Sequence, residues 1–266
     1  MISKPLFFRN LKQIVKPLLI FIIVLSLYTS IIIYMYNPSL IDMLNDYQKA
    51  LPQTMSAFGM TGVATSLIEF IKIYLYGFLM LIFPMIFIII ITNMTIMKYV
   101  DSGSMANLLS TNNSRRKIIL TQAFSIILGV IVLITIMTVI GIICSEAMFK
   151  GDLDISKYIS LNFSTLLVQL VIAGIAFLSA CIFNESKYYY ALGAGIPLLF
   201  FLINMLSNMG EKLKNLKYFT IYTLLPADKI IQGQGEIWVY NLALIIIAIV
   251  LFVVGVKIFT KKDLSL

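Results

Sequence analysis

Residues 73–97 read IYLYGFLMLIFPMIFIIIITNMTIM. No Asp, Glu, Lys or Arg interrupts these 25 positions, and the core from Leu81-Ile82-Phe83 through Ile91 is almost wholly apolar. A helix that crosses the ~30 Å hydrocarbon layer of a bilayer takes about 20 mainly apolar residues. Five further charge-free runs meet that requirement: 17–41, 118–145, 158–184, 188–210 and 237–256. Backbone polar groups must be paired internally in hydrocarbon, so such runs are read as helices. The expected fold class is all-α: a polytopic helical membrane protein with six transmembrane helices, forming a single transmembrane domain over 1–266. The uncharged run 50–68 is left out of the count. Pro52, Gln53, Thr54, Gly59 and Gly62, among others, make it too polar for lipid. It is expected as surface helices or as a re-entrant piece packed on protein.

The rest of the composition agrees. Of 266 residues, 60% are hydrophobic and 12% charged, against about 25% charge in a soluble domain. That excludes an ordinary soluble enzyme, a disordered chain and a disulfide scaffold. Cys144 and Cys181 both lie in apolar runs and read as small buried hydrophobes near opposite faces. A cleavable signal peptide is not expected, because the first run is long and Asn37-Pro38-Ser39 is no small-residue cleavage site.

The net charge of +8 reads as a topology signal rather than a nucleic-acid footprint. With the N-terminus inside, the inner segments are 1–16, 98–117, 185–187 and the tail from Lys257. They hold 12 Lys/Arg and three acids, while the outer segments hold eight Lys/Arg and nine acids. Basic excess marks the cytoplasmic side, so both termini are expected in the cytoplasm. The outer segments 42–72 and 211–236 are expected either as short external helices or as ordinary connecting loops.

Several chemistries lack their residues. There is no histidine, the commonest metal ligand and neutral-pH base. No ionisable residue interrupts the six runs, which disfavours a proton-coupled carrier. The phosphate-binding pattern G-x-x-x-x-G-K-[ST] is missing, since Gly210-Glu211-Lys212 lacks both the upstream glycine and the Ser/Thr. No catalytic residue, metal site or cofactor site is expected on this chain. Ala191 and Gly195, four apart in the fifth run, suit small-residue helix packing. Tyr188-Tyr189-Tyr190 reads as an interfacial aromatic belt.

Two inner segments are amphipathic. In 1–16, apolar positions 7, 8, 11, 14 and 15 alternate with Lys4, Arg9, Lys12 and Lys16. This is either an N-terminal interfacial amphipathic helix or a simple positive flank. In the inner loop, Gly103 permits a sharp turn, and Ser102 or Ser104 can cap a new helix. Met105, Leu108 and Leu109 then form one apolar stripe. A short helix lying along the membrane would either dock on a cytoplasmic partner or rest on lipid headgroups.

This loop resembles the coupling helix of ABC transporter permeases of the type-2 export class. Their pattern is an acid, x-G-[TS], a small hydrophobic stretch ending L-L-S, a short turn and an Arg before the next span. Asp101, Gly103, Ser104, Leu108, Leu109, Ser110 and Arg115 match it. Asp stands for the more usual Glu, and Asn112-Asn113 for a Pro-containing turn. The tail Phe259-Thr260-Lys261-Lys262-Asp263-Leu264 resembles the Phe-x-basic-basic-Asp-Leu ending of such permeases. Met35-Tyr36-Asn37-Pro38 and Phe58-Gly59-Met60 are similar to a Firmicute-type subgroup.

The resemblance implies the pore subunit of an ABC exporter in the bacterial plasma membrane. A second permease copy or homologue and cytoplasmic ABC ATPase subunits would be its partners, with ATP and Mg on the ATPase. Residues 101–110 would form the cytoplasmic coupling helix, touching the ATPase through Asp101, Gly103, Ser104, Met105, Leu108, Leu109 and Arg115. Span cores without fixed charge favour amphipathic or hydrophobic cargo such as membrane-active peptides. The alternative class is a non-transporting membrane scaffold, sensor or immunity protein that uses the same loop to recruit a partner.

Overall fold

A computed structural model of the chain describes residues 2–60, 62, 64–109 and 113–262. These residues are almost entirely helical, and six helices are long and apolar enough to cross a membrane. The first, α1 (Lys4–Tyr34), is one unbroken helix of 31 residues, about 46 Å at 1.5 Å per residue. Residues 4–16 are therefore continuous with the first span in one helix. Its buried positions, Leu6, Asn10, Ile14 and Pro17, share one face. Lysine and arginine stems can lie along apolar surface while their heads reach water, so charge-free runs understate the length of such helices.

Three short helices follow: α2 (Pro38–Ala50), α3 (Pro52–Ala57) and α4 (Leu67–Ile71). Within the run 50–68, Pro52, Gln53 and Thr54 of α3 are exposed, Phe58 and Gly59 pack on Gly77, and Leu67 and Ile68 are buried. A π-helical stretch, Lys72–Tyr76, continues α4 to a break at Gly77-Phe78. The second span starts only there, with α5 (Leu79–Thr92), a second π-helical stretch (Asn93–Met97) and α6 (Lys98–Asp101). The break exists because another chain segment presses on it. A Cβ added at Gly77 would lie 2.7 Å from the carbonyl oxygen of Phe58 and 2.6 Å from that of Ile73. Phe58 also meets Phe78 edge-on, with ring centroids 5.0 Å apart.

After α7 (Met105–Leu109) come α8 (Arg115–Met148) and α9 (Ile155–Ile182), the third and fourth spans. The fifth span joins α10 (Ser186–Tyr189), a π-helical stretch (Tyr190–Ala194) and α11 (Gly195–Ser207). Two 3₁₀ helices (Glu211–Phe219 and Ile221–Leu224), α12 (Ala227–Gln232) and the sixth span α13 (Ile237–Lys261) complete the order.

α9 is the central helix. Its apolar window is 72% buried, against 22% for the first, fifth and sixth spans, and it packs on α5, α8 and α13. Helices in lipid associate through close van der Waals packing and hydrogen bonds rather than water exclusion. The α9–α13 contact does this with reciprocal small residues: Gly174 lies under Leu251 and Gly255 under Phe177. The outward faces of α1, α11 and α13 expose Leu19, Ile23, Leu199, Leu202, Ile246 and Ile249, the surface expected where lipid is the solvent.

Buried polar side chains pair across the helices, and one of them answers a backbone defect. Pro84 sits inside α5 and has no N–H for the carbonyl of Met80. From α9, Gln169 Nε2 donates to that oxygen and to the carbonyl of Leu81, each at 3.1 Å. Asn10 Nδ2 of α1 donates to Gln122 Oε1 (2.5 Å) and Ser125 Oγ (3.0 Å) of α8. Tyr76 donates to Asn162 Oδ1 at 2.7 Å.

Candidate functional site at the basic end of the bundle

The starts of α1 and α8, the end of α13 and the α6–α7 and α9–α10 turns converge on one end of the bundle. Named side chains tie them together. The Ser3 N–H donates to Thr121 Oγ1 at 2.9 Å. Arg115 Nη1 donates to the carbonyl of Lys262 at 2.7 Å, and Lys262 Nζ donates to the carbonyl of Phe183 at 2.5 Å. The tail of α13 is thus clamped between α8 and the α9–α10 turn. Partial burial lowers the Lys262 amine to about 8.

The α6–α7 turn is built on Gly103, whose φ of +69° is strained for any L side chain. Ser102 Oγ donates to the Lys98 carbonyl (2.6 Å) and lies 2.7 Å from Ser104 Oγ. The Ala106 N–H closes the turn on the Gly103 carbonyl at 3.1 Å. Asp101 accepts from Ser186 twice, from Oγ at 2.9 Å and from the backbone N–H at 3.3 Å. Its carboxylate stands at the N-terminus of the fifth span, where the helix dipole favours negative charge. The second and fifth spans are thereby latched at their ends.

Tyr99, just before the turn, faces α1. It accepts from Gln13 Nε2 at 2.9 Å, and the Arg9 guanidinium lies 5.2 Å from its ring centroid. Tyr189 is fully buried: it donates to the Ile89 carbonyl of α5 at 2.8 Å, and its own carbonyl accepts from Ser179 Oγ at 3.2 Å. Only Tyr188 and Tyr190, both exposed, fit the aromatic-belt expectation.

The residues expected to touch an ATPase therefore divide. Asp101 and Gly103 are exposed, and Ser104 and Arg115 are half-buried. Met105 is only 1% exposed and Leu108 packs against the core. At least these two members of the stripe seat α7 on the chain's own spans. Leu109 lies within α7; Ser110, Asp263 and Leu264 lie outside the described residues. In the fifth span, Gly193 makes the close contact, facing Ser179 and Tyr189. Ala191 is exposed and Gly195 is half-buried.

Sequence reading missed Tyr99, Tyr189, Ser186 and Lys262 as tethers. The usable signals were polar groups next to helix breaks: Ser186 beside the charged turn, and Tyr189 just before a π-helical stretch. Among the described residues, no group of three or more Cys, Asp or Glu could hold a metal ion. Comparison with curated proteins gives no match. Residues 8–264 match the family model described as ABC-2 family transporter protein; with six membrane-crossing helices along that same stretch, the chain belongs to the ABC-2 transporter family, as its membrane-spanning component.

Proposed function

We propose that the chain is the pore-forming half of an ATP-driven exporter in the bacterial plasma membrane, with its basic end and both termini in the cytoplasm. Membership in an ABC transporter family implies an ATPase partner. In this reading the ATPase binds ATP and Mg, and two six-span chains, identical or homologous, form the path. The exposed turn at Asp101 and Gly103, with Ser104 and Arg115 beside it, contacts the ATPase. Met105 and Leu108 hold that turn to the spans, so a push on it reaches the second and fifth spans together through the Asp101–Ser186 latch. Cargo is amphipathic or hydrophobic, membrane-active peptides being the favoured class, because the buried polar groups between the spans are uncharged.

The observation that carries the reading is an exposed turn whose supporting residues are bonded to two spans at once. The test is copurification of the ATPase together with its ATP turnover. Asp101→Arg is expected to leave membrane insertion intact and to lower cargo-stimulated ATP turnover at least tenfold. Cargo-stimulated turnover equal to that of the parent protein would refute the contact.

A further inference from the structure

A groove runs along the outside of the bundle between α8 and α13, floored by Leu167 and Leu170 of α9. At the basic end it opens into a cavity of about 710 Å³, walled by Leu120, Phe124 and Val256. It continues toward mid-membrane past Phe252 and Val253 into an apolar trough of about 310 Å³ that reaches Ile245. Arg116 and Lys257 stand at the mouth. Both are exposed, and among the described residues neither takes part in an ion pair.

The dimensions and charge of the groove select its occupant. Ile245 and Lys257 are twelve residues apart on α13, about 18 Å along the axis, close to half of the ~30 Å hydrocarbon layer. The groove is thus one leaflet deep. Its walls are apolar through the acyl region, and its two unpaired cations stand at headgroup depth. Arginine binds phosphate oxygens in a fork, and lysine adds a mobile point charge. A zwitterionic lipid offers the same chains without the net charge that two unpaired cations favour. Basic pockets between membrane helices are recognised as sites for acidic headgroups.

We propose that the α8–α13 groove is a binding site for one anionic phospholipid of the leaflet at the basic end. Arg116 and Lys257 hold its headgroup, and an acyl chain lies along Phe124, Phe252 and Val253. The lipid fills the gap between the third and sixth spans, next to the Arg115–Lys262 clamp, so acidic lipid supports the geometry of that end.

The test uses the full chain in mixed micelles of phosphatidylcholine with or without phosphatidylglycerol. Native mass spectrometry reads which lipid stays bound. The expected result is selective retention of phosphatidylglycerol. The double variant Arg116→Gln, Lys257→Gln should weaken it roughly 30-fold, from the loss of two near-surface cations. Lys12→Gln, an exposed cation on α1 away from the groove, should bind as the parent does. Val253→Trp, which fills the trough and keeps both cations, should also release the lipid and supplies an independent readout. Equal retention of both lipids, undiminished selectivity in the double variant or in Val253→Trp, or an equal loss in Lys12→Gln would overturn the proposal. So would a disulfide joining two copies through Val253→Cys in membranes, which would place a second chain over the groove.

Discussion

Replacing Gln169 by Leu tests whether a side chain on one helix repairs a backbone defect on another. Pro84 leaves the Met80 carbonyl without its helical donor, and Gln169 Nε2 supplies one from α9 while also reaching Leu81. Double-mutant cycles put side-chain hydrogen bonds between membrane helices at about 0.6 kcal/mol on average, so two bonds sum to about 1.2 kcal/mol. Stranding the Met80 carbonyl adds to the loss, whereas removing Gln169 Oε1, which is buried without a partner, offsets part of it. The expected destabilisation is about 1 to 2 kcal/mol. Pro84→Ala restores an N–H to Met80, so Gln169→Leu should cost about half as much in that background. The assay is equilibrium unfolding of the purified protein by denaturing detergent, followed by circular dichroism, for the four members of the cycle. An equal cost in both backgrounds would refute the repair, because it would show that Gln169 acts by packing alone.

Two other perturbations probe the ends of the bundle. Gly77→Ala should destabilise the protein by about 1 to 3 kcal/mol through overpacking, because the new methyl group meets the carbonyl oxygens of Ile73 and Phe58; the same unfolding assay reads it, and an unchanged midpoint would show that the 58–59 segment does not press on the break. For Lys262, burial lowers the amine from 10.5 to about 8, so between those values the unfolded chain binds more protons and stability rises with pH. Hydrogen exchange at the α9–α10 turn should therefore slow, relative to the intrinsic rate, as pH rises from about 8, and Lys262→Met should remove the trend; a flat or opposite dependence in the parent protein contradicts the buried clamp.

The span count was legible because hydrocarbon tolerates almost no charge, and 73–97 or 118–145 announces that by composition alone. The ends were less legible. Lys4 and Arg115 lie inside helices whose heads reach past the apolar layer, so the absence of charge marks a core rather than a boundary. The helix break before α5 was hidden for another reason: Gly77 reads as part of an apolar run, and the Phe58–Gly59 segment that packs on it is distant in sequence. The candidate site was half visible. Gly103 and the apolar stripe could be read from spacing, but which way the stripe points depends on where the second span ends. Met105 turns inward, as its burial shows. The burial of Tyr189 follows from packing against α5 and α9 that helical periodicity does not encode.

In the proposed exporter the ATPase sits at the basic end, against the turn at Asp101 to Ser104. A photo-crosslinking residue at Ser102, exposed in that turn, compared in native membranes with one at Lys150, exposed at the opposite end, tests it most directly. The predicted result is a covalent adduct with an ATP-binding subunit from Ser102 and none from Lys150. An adduct from Lys150, or no ATPase adduct from Ser102 while the two chains copurify, would contradict it.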